Sequence, residues 1–290
     1  MRHRVGHHQL PPGFPATLAD PPRAPVRARP AATVAILRPS EKEGNAFEAL
    51  LMRRSGRVGF IPGAWVFPGG RVDRQDGAPD VLSRLGGSSP GEMERRLGTH
   101  PGQGEHVDEK TAPPSAGAYF VAALRETFEE VGILFTRSPE RCLSVPVRGD
   151  EALSTARKAL LHHRSTFLEV LEGGDLDLDA GALRYVGHWI TPEVEPRRYD
   201  TRFFAAVVPR ACTVHPDGQE MADALWLTPG EALGRNREGE LPMVFPTLKT
   251  LEALRPFSSP EDALDVLGSR PVPRLLPRLT AADGGVEIVL

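Results

Sequence analysis

The sequence predicts an α/β fold, and three observations carry that prediction. Apolar runs of strand length recur along the chain, and stretches of helical periodicity lie between them. The two kinds neither alternate strictly nor meet at the Gly-x-Gly-x-x-Gly turn that a dinucleotide fold requires. With 290 residues, 25% charged and 40% hydrophobic, the chain has a globular composition and enough length for one enlarged domain. A formal net charge of −3 gives no basic footprint, so no nucleic-acid partner is expected. No run approaches the length of a membrane span, so no membrane partner is expected either. Two cysteines, Cys142 and Cys212, are too few for a disulfide framework or a thiolate zinc site, which points to a reducing compartment.

Residues 1–30 are rich in Pro, Arg and His, lack the apolar core of a secretory signal, and read as a disordered N-terminal arm. "ATVAILR" (32–38) and "FEALLMRR" (47–54), separated by the polar turn "PSEKEGN", read as a hairpin. "AWVF" (64–67) is a short strand ending at "PGG", where Gly69 and Gly70 permit a tight turn or close backbone approach to a ligand. Residues 77–117 are rich in Gly, Pro and Ser and read as an insertion, with a short helix at "GEMERRLG". A helix follows that ends at Gly132, and residues 151–173 show the periodicity of one helix carrying His162 and His163 on its surface. "ALRYVGHWI", "TRFFAAVVP" and "MADALWL" are strands. "TPGEALGR" opens a helix with Thr228 as N-cap, and "PTLKTLEAL" supplies another. The expected organisation is therefore the arm, a domain over 31–256 that contains the insertion, and a C-terminal extension over 257–290.

The chemistry concentrates in "LRETFEEVGILF" (124–135). At about 100° per residue, Phe120, Val121, Leu124, Phe128 and Val131 share one stripe, while Glu126, Glu129 and Glu130 lie opposite. Like charges four apart, as in Glu126 and Glu130, cost a few tenths of a kcal/mol in an isolated helix. A solvated surface tolerates that cost, and so does a site for a divalent cation.

Together, "FPGG" (67–70) and "RETFEEVGI" (125–133) resemble the Nudix hydrolase signature, G-x5-E-x7-R-E-U-x-E-E-x-G-U, where U is a bulky apolar residue. Thr127 stands at the first U, and Asp76 stands at the first acidic position, one methylene shorter than the usual glutamate. Between Asp76 and Arg125 lie 48 residues, where the signature has seven. A box split in this way resembles the acyl-CoA diphosphatase branch of the superfamily.

The resemblance implies a Nudix-type α/β/α sandwich with a central mixed sheet. It also implies a magnesium or manganese ion, Mg2+ or Mn2+, held by carboxylates, the oxygen donors that hard cations prefer. Glu129 and Glu130 are the first-choice metal ligands, and Glu126 is a further ligand or the general base. Arg125 orients a glutamate, and Gly70 offers its carbonyl to the metal. Asp76 joins the metal ligands, unless the insertion moves it away or leaves it as a brace behind them.

Upstream, "LLMRRSGRVGFIPGAWVFPGG" resembles the coenzyme A diphosphatase pattern L-L-T-x-R-S-x3-R-x3-G-x3-F-P-G-G, with Met52 in place of the threonine and Gly59 in place of the second arginine. By this resemblance Arg53, Arg54 and Arg57 are substrate-binding candidates for the 3′-phosphate or the diphosphate. Similarity to that branch extends through "GHWITP", "YDTRFFAAVVP" and "ALWLTPGEAL". Trp189, Phe203 and Phe204 are candidates for an acyl or adenine pocket or for the core, and Glu220 for an additional acid. The expected function is metal-dependent hydrolysis of the diphosphate of CoA or acyl-CoA to 3′,5′-ADP and (acyl-)phosphopantetheine. The alternatives are ADP-ribose, NAD(H) or a dinucleoside polyphosphate as substrate, and a non-catalytic nucleotide-sensing module of the same fold. The insertion is left as a lid, an acyl-chain recognition element or a homodimer contact. A C-terminal "VEIVL", unlike a peroxisomal address, gives cytoplasmic as the expected location.

Overall fold

The structure, a computed structural model, describes residues 2–11, 24, 26–41, 47–56, 61–98, 113–137, 142–144 and 151–290. Its centre is an eight-stranded mixed sheet. β2 (Arg29–Pro39) and β3 (Phe47–Arg54) form the expected antiparallel hairpin, which β4 (Trp65–Val66) and β5 (Gly69–Arg71) extend by pairing with β3 and β2. Across the insertion and the signature helix lie four two- or three-residue strands, β6 (Leu85–Gly86), β7 (Ile133–Phe135), β8 (Cys142–Ser144) and β9 (Leu178–Asp179), paired outside the main sheet. β10 (Arg184–Ile190), β11 (Tyr199–Val207) and β12 (Met221–Leu227) complete the sheet. β11 runs parallel to β2, and β12 antiparallel to β3. β13 (Arg274–Leu275) sits on the far edge against β10.

Strand alternation explains why the hairpin is apolar at nearly every position. Val34, Ile36, Leu50 and Met52 face one core, while Ala35, Leu37, Ala49 and Leu51 face the other. A sheet covered on both sides needs apolar residues at both parities. On the first side lie α1 (Pro79–Ser83), α2 (Pro90–Leu97), α3 (Ala116–Val131), α4 (Glu151–Leu161) and α5 (Phe167–Gly173). On the second lie α6 (Pro229–Arg237), α7 (Phe245–Leu254) and α8 (Pro260–Ser269). The result is the expected α/β/α sandwich.

Three local expectations are corrected. Residues 2–6 are not part of a solvated arm. β1 (Arg2–Gly6) pairs antiparallel with β15 (Gly285–Val289), which also pairs with β14 (Arg278–Ala282), and Val5 packs with Val286 and Ile288 in the second core. The partner strand lies about 280 positions away, so no local pattern announces it. The rest of that expectation falls partly on residues outside those described. Residues 151–173 are not one helix: His163 takes a left-handed φ of 54°, and Thr166 then starts α5 with a capping box completed by Glu169. The segment 257–290 does not trail from the domain, since α8 and the terminal strands pack into the second core.

α3 is the element that positions the site. Ser115 caps its start by accepting a hydrogen bond from the Ala118 amide, and Gly132 ends it at a φ of 77°. Phe120 is fully buried with its ring centroid 4.8 Å from that of Phe204 on β11. Phe120→Ala should therefore lower the unfolding free energy by about 3–5 kcal/mol. Urea denaturation measures this, and a change under about 1 kcal/mol would show that the contact does not anchor α3 to the sheet.

Candidate active site

Two backbone features bring the acidic residues of α3 against the strand-turn. Gly69 has a φ of 154°, and a Cβ there would lie 2.3 Å from the Ala32 carbonyl oxygen. A Cβ on Gly70 would lie 2.5 Å from Cδ of Glu126. Gly69 is thus required for close approach to the β2 backbone, and Gly70 leaves room for the Glu126 carboxylate. The Gly69 amide donates to Glu130 Oε2 at 2.8 Å, tying the turn to the helix.

Arg125 is the hub. It is 7% exposed, and its Nε and Nη2 donate to the two oxygens of Asp76 at 2.8 and 3.0 Å. Nη1 donates to Glu126 at 3.0 Å and to Glu129 at 3.1 Å, and Nη2 also reaches the Arg71 carbonyl at 3.0 Å. Burial pulls this guanidinium toward losing its proton. The bond to Asp76 and the charges of Glu126, Asp76 and Glu129 outweigh that pull, so its pKa lies above the ordinary value.

Asp76 is 1% exposed, and the Asp73 amide donates to its Oδ2 at 2.7 Å. Both oxygens of Asp76 are thus engaged by the Arg125 guanidinium. A bidentate guanidinium–carboxylate pair fits an aspartate here.

The three glutamates are buried unequally. Burial is the largest cause raising Glu126, to about 7; Arg125 opposes it and the charge of Glu129 adds to it. Glu129 is raised by burial against the pull of Arg125. Glu130 is raised well above 4.5, first by burial and then by repulsion from Glu126, with the Gly69 amide and Arg54 opposing and Glu220 adding to the rise. Among the described residues, no three His, Cys, Asp or Glu side chains are disposed as a metal-holding group. Arg125 holds Glu126 and Glu129, and the Gly69 amide holds Glu130.

Glu126, Glu129, Gly70 and Arg125 line a cleft of about 470 Å³, which Arg54 and Glu220 also reach. Arg53 does not line it: strand alternation places its side chain on the opposite face of β3 from Arg54, where it is exposed. Arg57 lies outside the described residues. Trp189 and Phe203 line the cleft, whereas Phe204 is core.

One residue escaped the sequence reading. α3 ends with four carbonyls that lack helical partners. The amide of Gly132 donates to Phe128 O at 3.0 Å, the amide of Asp217 to Glu130 O at 3.1 Å and the amide of His215 to Val131 O at 3.0 Å. Arg157 supplies the rest, donating to Phe128 O and Glu129 O, each at 2.8 Å, and to His215 O. Its signal was a charged residue on the apolar stripe of α4 between Leu153 and Leu160.

Residues 27–254 match the NUDT19 Nudix domain. The chain belongs to that Nudix family. The acyl-coenzyme A diphosphatase NUDT19 of Gallus gallus is 32% identical over 275 residues, which cover 84% of this chain and 71% of that protein. Its Homo sapiens namesake is 29% identical over 253 residues, covering 81% of this chain and 67% of that protein. A crystal structure of a Nudix hydrolase from Alicyclobacillus acidocaldarius is 31% identical with a TM-score of 0.63, covering 85% of this chain and 99% of that one. The split Nudix signature is thereby reunited in space, since Asp76 and Arg125, 49 positions apart, meet directly.

Asp76→Ala should strand a buried guanidinium and lower the unfolding free energy by about 3 kcal/mol. An unchanged urea midpoint would show that the helix glutamates hold Arg125 without it.

Proposed function

We propose that the protein is a metal-dependent acyl-CoA diphosphatase that hydrolyses the diphosphate of CoA or acyl-CoA to 3′,5′-ADP and (acyl-)phosphopantetheine. The observation that carries this reading is the placement of half-buried Glu126 and Glu129 on the wall of a cleft that Gly69 and Gly70 also line, with buried Glu130 bonded to the Gly69 amide. Asp76, Glu126 and Glu129 share one guanidinium and Glu130 bonds the Gly69 amide, which leaves a local excess of negative charge on the three glutamates. Their oxygens are the donors a hard divalent cation takes, so the donor set fits Mg2+ or Mn2+. Glu126, Glu129, Glu130 and the Gly70 carbonyl would hold the ion. When bound, the ion supplies charge neutralisation at the diphosphate oxygens and a lowered pKa for the attacking water.

The chain's own groups do the rest. Arg125 holds Glu126 and Glu129 in place from Nη1 and cannot leave, because Asp76 and the Arg71 carbonyl fix its other nitrogens. Glu126, on the cleft wall beside Gly70, takes the proton of the attacking water at a carboxylate oxygen. Arg54, which reaches the same cleft, meets a substrate phosphate. No described helix is long and apolar enough to cross a membrane. A cytoplasmic setting belongs to this reading and rests on the low cysteine count.

With Mn2+ and a panel of CoA, octanoyl-CoA, ADP-ribose, NADH and diadenosine polyphosphates, chromatography should show 3′,5′-ADP released from the CoA compounds. Glu129→Gln and Glu130→Gln should each reduce turnover by about two orders of magnitude or more while the protein stays folded. Near-normal activity in the double variant would remove the metal assignment. Ligand binding without cleavage of any compound would instead make the chain a sensing module.

A proton and a divalent cation compete for the same carboxylates. Burial pushes Glu126 up from 4.5 to about 7 in the folded chain, so its ionisation costs stability as pH rises through that window. A cation that binds the ionised form recovers this loss. The rise in melting temperature on adding Mn2+ should therefore be larger at pH 8 than at pH 5.5, and a pH-independent rise would place the cation elsewhere.

A further inference from the structure

We propose that the apolar part of the cleft seats the acyl chain of the substrate and that the terminal strands β14 and β15 form its floor. This assignment rests on the acyl-CoA reading above. Glu126 and Glu129 line the cleft from α3, and Glu195 and Glu220 line it as well, whereas Trp189, Phe203, Val244, Phe245, Leu279 and Ile288 line it from β10, β11, the start of α7 and the terminal strands. Five of these six belong to the core on the far side of the sheet from α3. Trp189 and Phe245 meet edge to face with ring centroids 5.7 Å apart, giving a rigid aromatic corner.

Charge orients the substrate. The cations on the cleft wall among the described residues are Arg54, Arg71 and Arg125, all from segments flanking the carboxylates. The wall residues between Val244 and Ile288 include no charged side chain. A 3′-phosphate and a diphosphate need the arginine end, and an alkyl chain needs nothing but apolar surface. The acyl end therefore points away from α3 toward the terminal sheet.

Leu279 and Ile288 lie beyond residues 27–254, the segment matched by the family. β15 is held from both sides, by β1 and by β14, with Ile288 opposite both His3 and Leu279. The floor of the lobe is thus set by residues outside the matched segment, while its aromatic corner lies within it.

The test is kcat/KM with Mn2+ for CoA, butanoyl-CoA, octanoyl-CoA and dodecanoyl-CoA, measured on the wild type, Leu279→Trp and Ile288→Ala. Melting temperature reports whether each variant is folded. In the wild type, each methylene that enters the lobe should raise kcat/KM about fourfold, equivalent to about 0.8 kcal/mol. Leu279→Trp, by filling the floor, should lower the octanoyl-CoA to CoA ratio at least tenfold. Ile288→Ala, by opening the floor, should move the optimum to a longer chain and keeps the proposal testable if the tryptophan variant does not fold. Equal kcat/KM at every chain length in the wild type, or equal change on CoA and acyl-CoA in the variants, overturns the acyl lobe while leaving the diphosphatase reading intact. Cleavage of ADP-ribose with no cleavage of any CoA compound overturns both.

Discussion

The desolvated guanidinium of Arg125 is the interaction on which the site depends. It sits among Asp76, Glu126 and Glu129, with each nitrogen engaged. A lone buried carboxylate would cost several kcal/mol, and a lone buried guanidinium would cost as much. Each is tolerable because the other is present. The pair also explains how an insertion can interrupt the signature. Chain entropy charges only about 0.6 kcal/mol for each doubling of a loop's length, so the dominant requirement is that the two ends meet. Asp76 and Arg125 are those ends, and their bidentate contact closes the insertion at its base.

α3 is built against the local rules for a helix. Glu129 and Glu130 occupy its last turn, no basic residue accompanies them there, and the helix dipole is negative at that end. A helix selected for its own stability would carry the reverse charges. The compensation comes from outside: Arg157 places a cation on the final carbonyls, and the loop at His215 and Asp217 donates two amides. Local conflict with external repair marks this turn as a place where stability has been spent on chemistry.

What the sequence made legible follows from the range of each interaction. The hairpin of β2 and β3, the long strands β10 to β12, the cap at Thr228 and the Gly132 terminus are local events, and they lie where the residue patterns put them. The split signature was legible because its halves carry their own turn and helix chemistry. Three features were not. β1 and β15 are weak strands whose pairing spans nearly the whole chain. The break at His163 is a single left-handed residue inside a periodic pattern. Arg157 acts on the backbone of a different helix, which no spacing rule encodes. The difference between Arg53 and Arg54 was legible in principle, since strand period alone separates them once the facing of Leu51 and Met52 is known.

Reaction and substrate differ in the range of the interactions that encode them. The groups that would bind a cation and move a proton come from two short segments, 69–76 and 125–130, where sequence spacing constrains geometry tightly. The apolar wall is assembled from β10, β11, α7 and the terminal sheet, whose residues share a cleft only because the whole sandwich has folded. A pattern of residues can therefore specify hydrolysis of a phosphoanhydride while remaining silent on what is attached to it. In the proposed acyl lobe, small changes of volume at Leu279 or Ile288 alter the floor without touching the carboxylates of α3. The two halves of the site can vary independently because different faces of the sheet hold them.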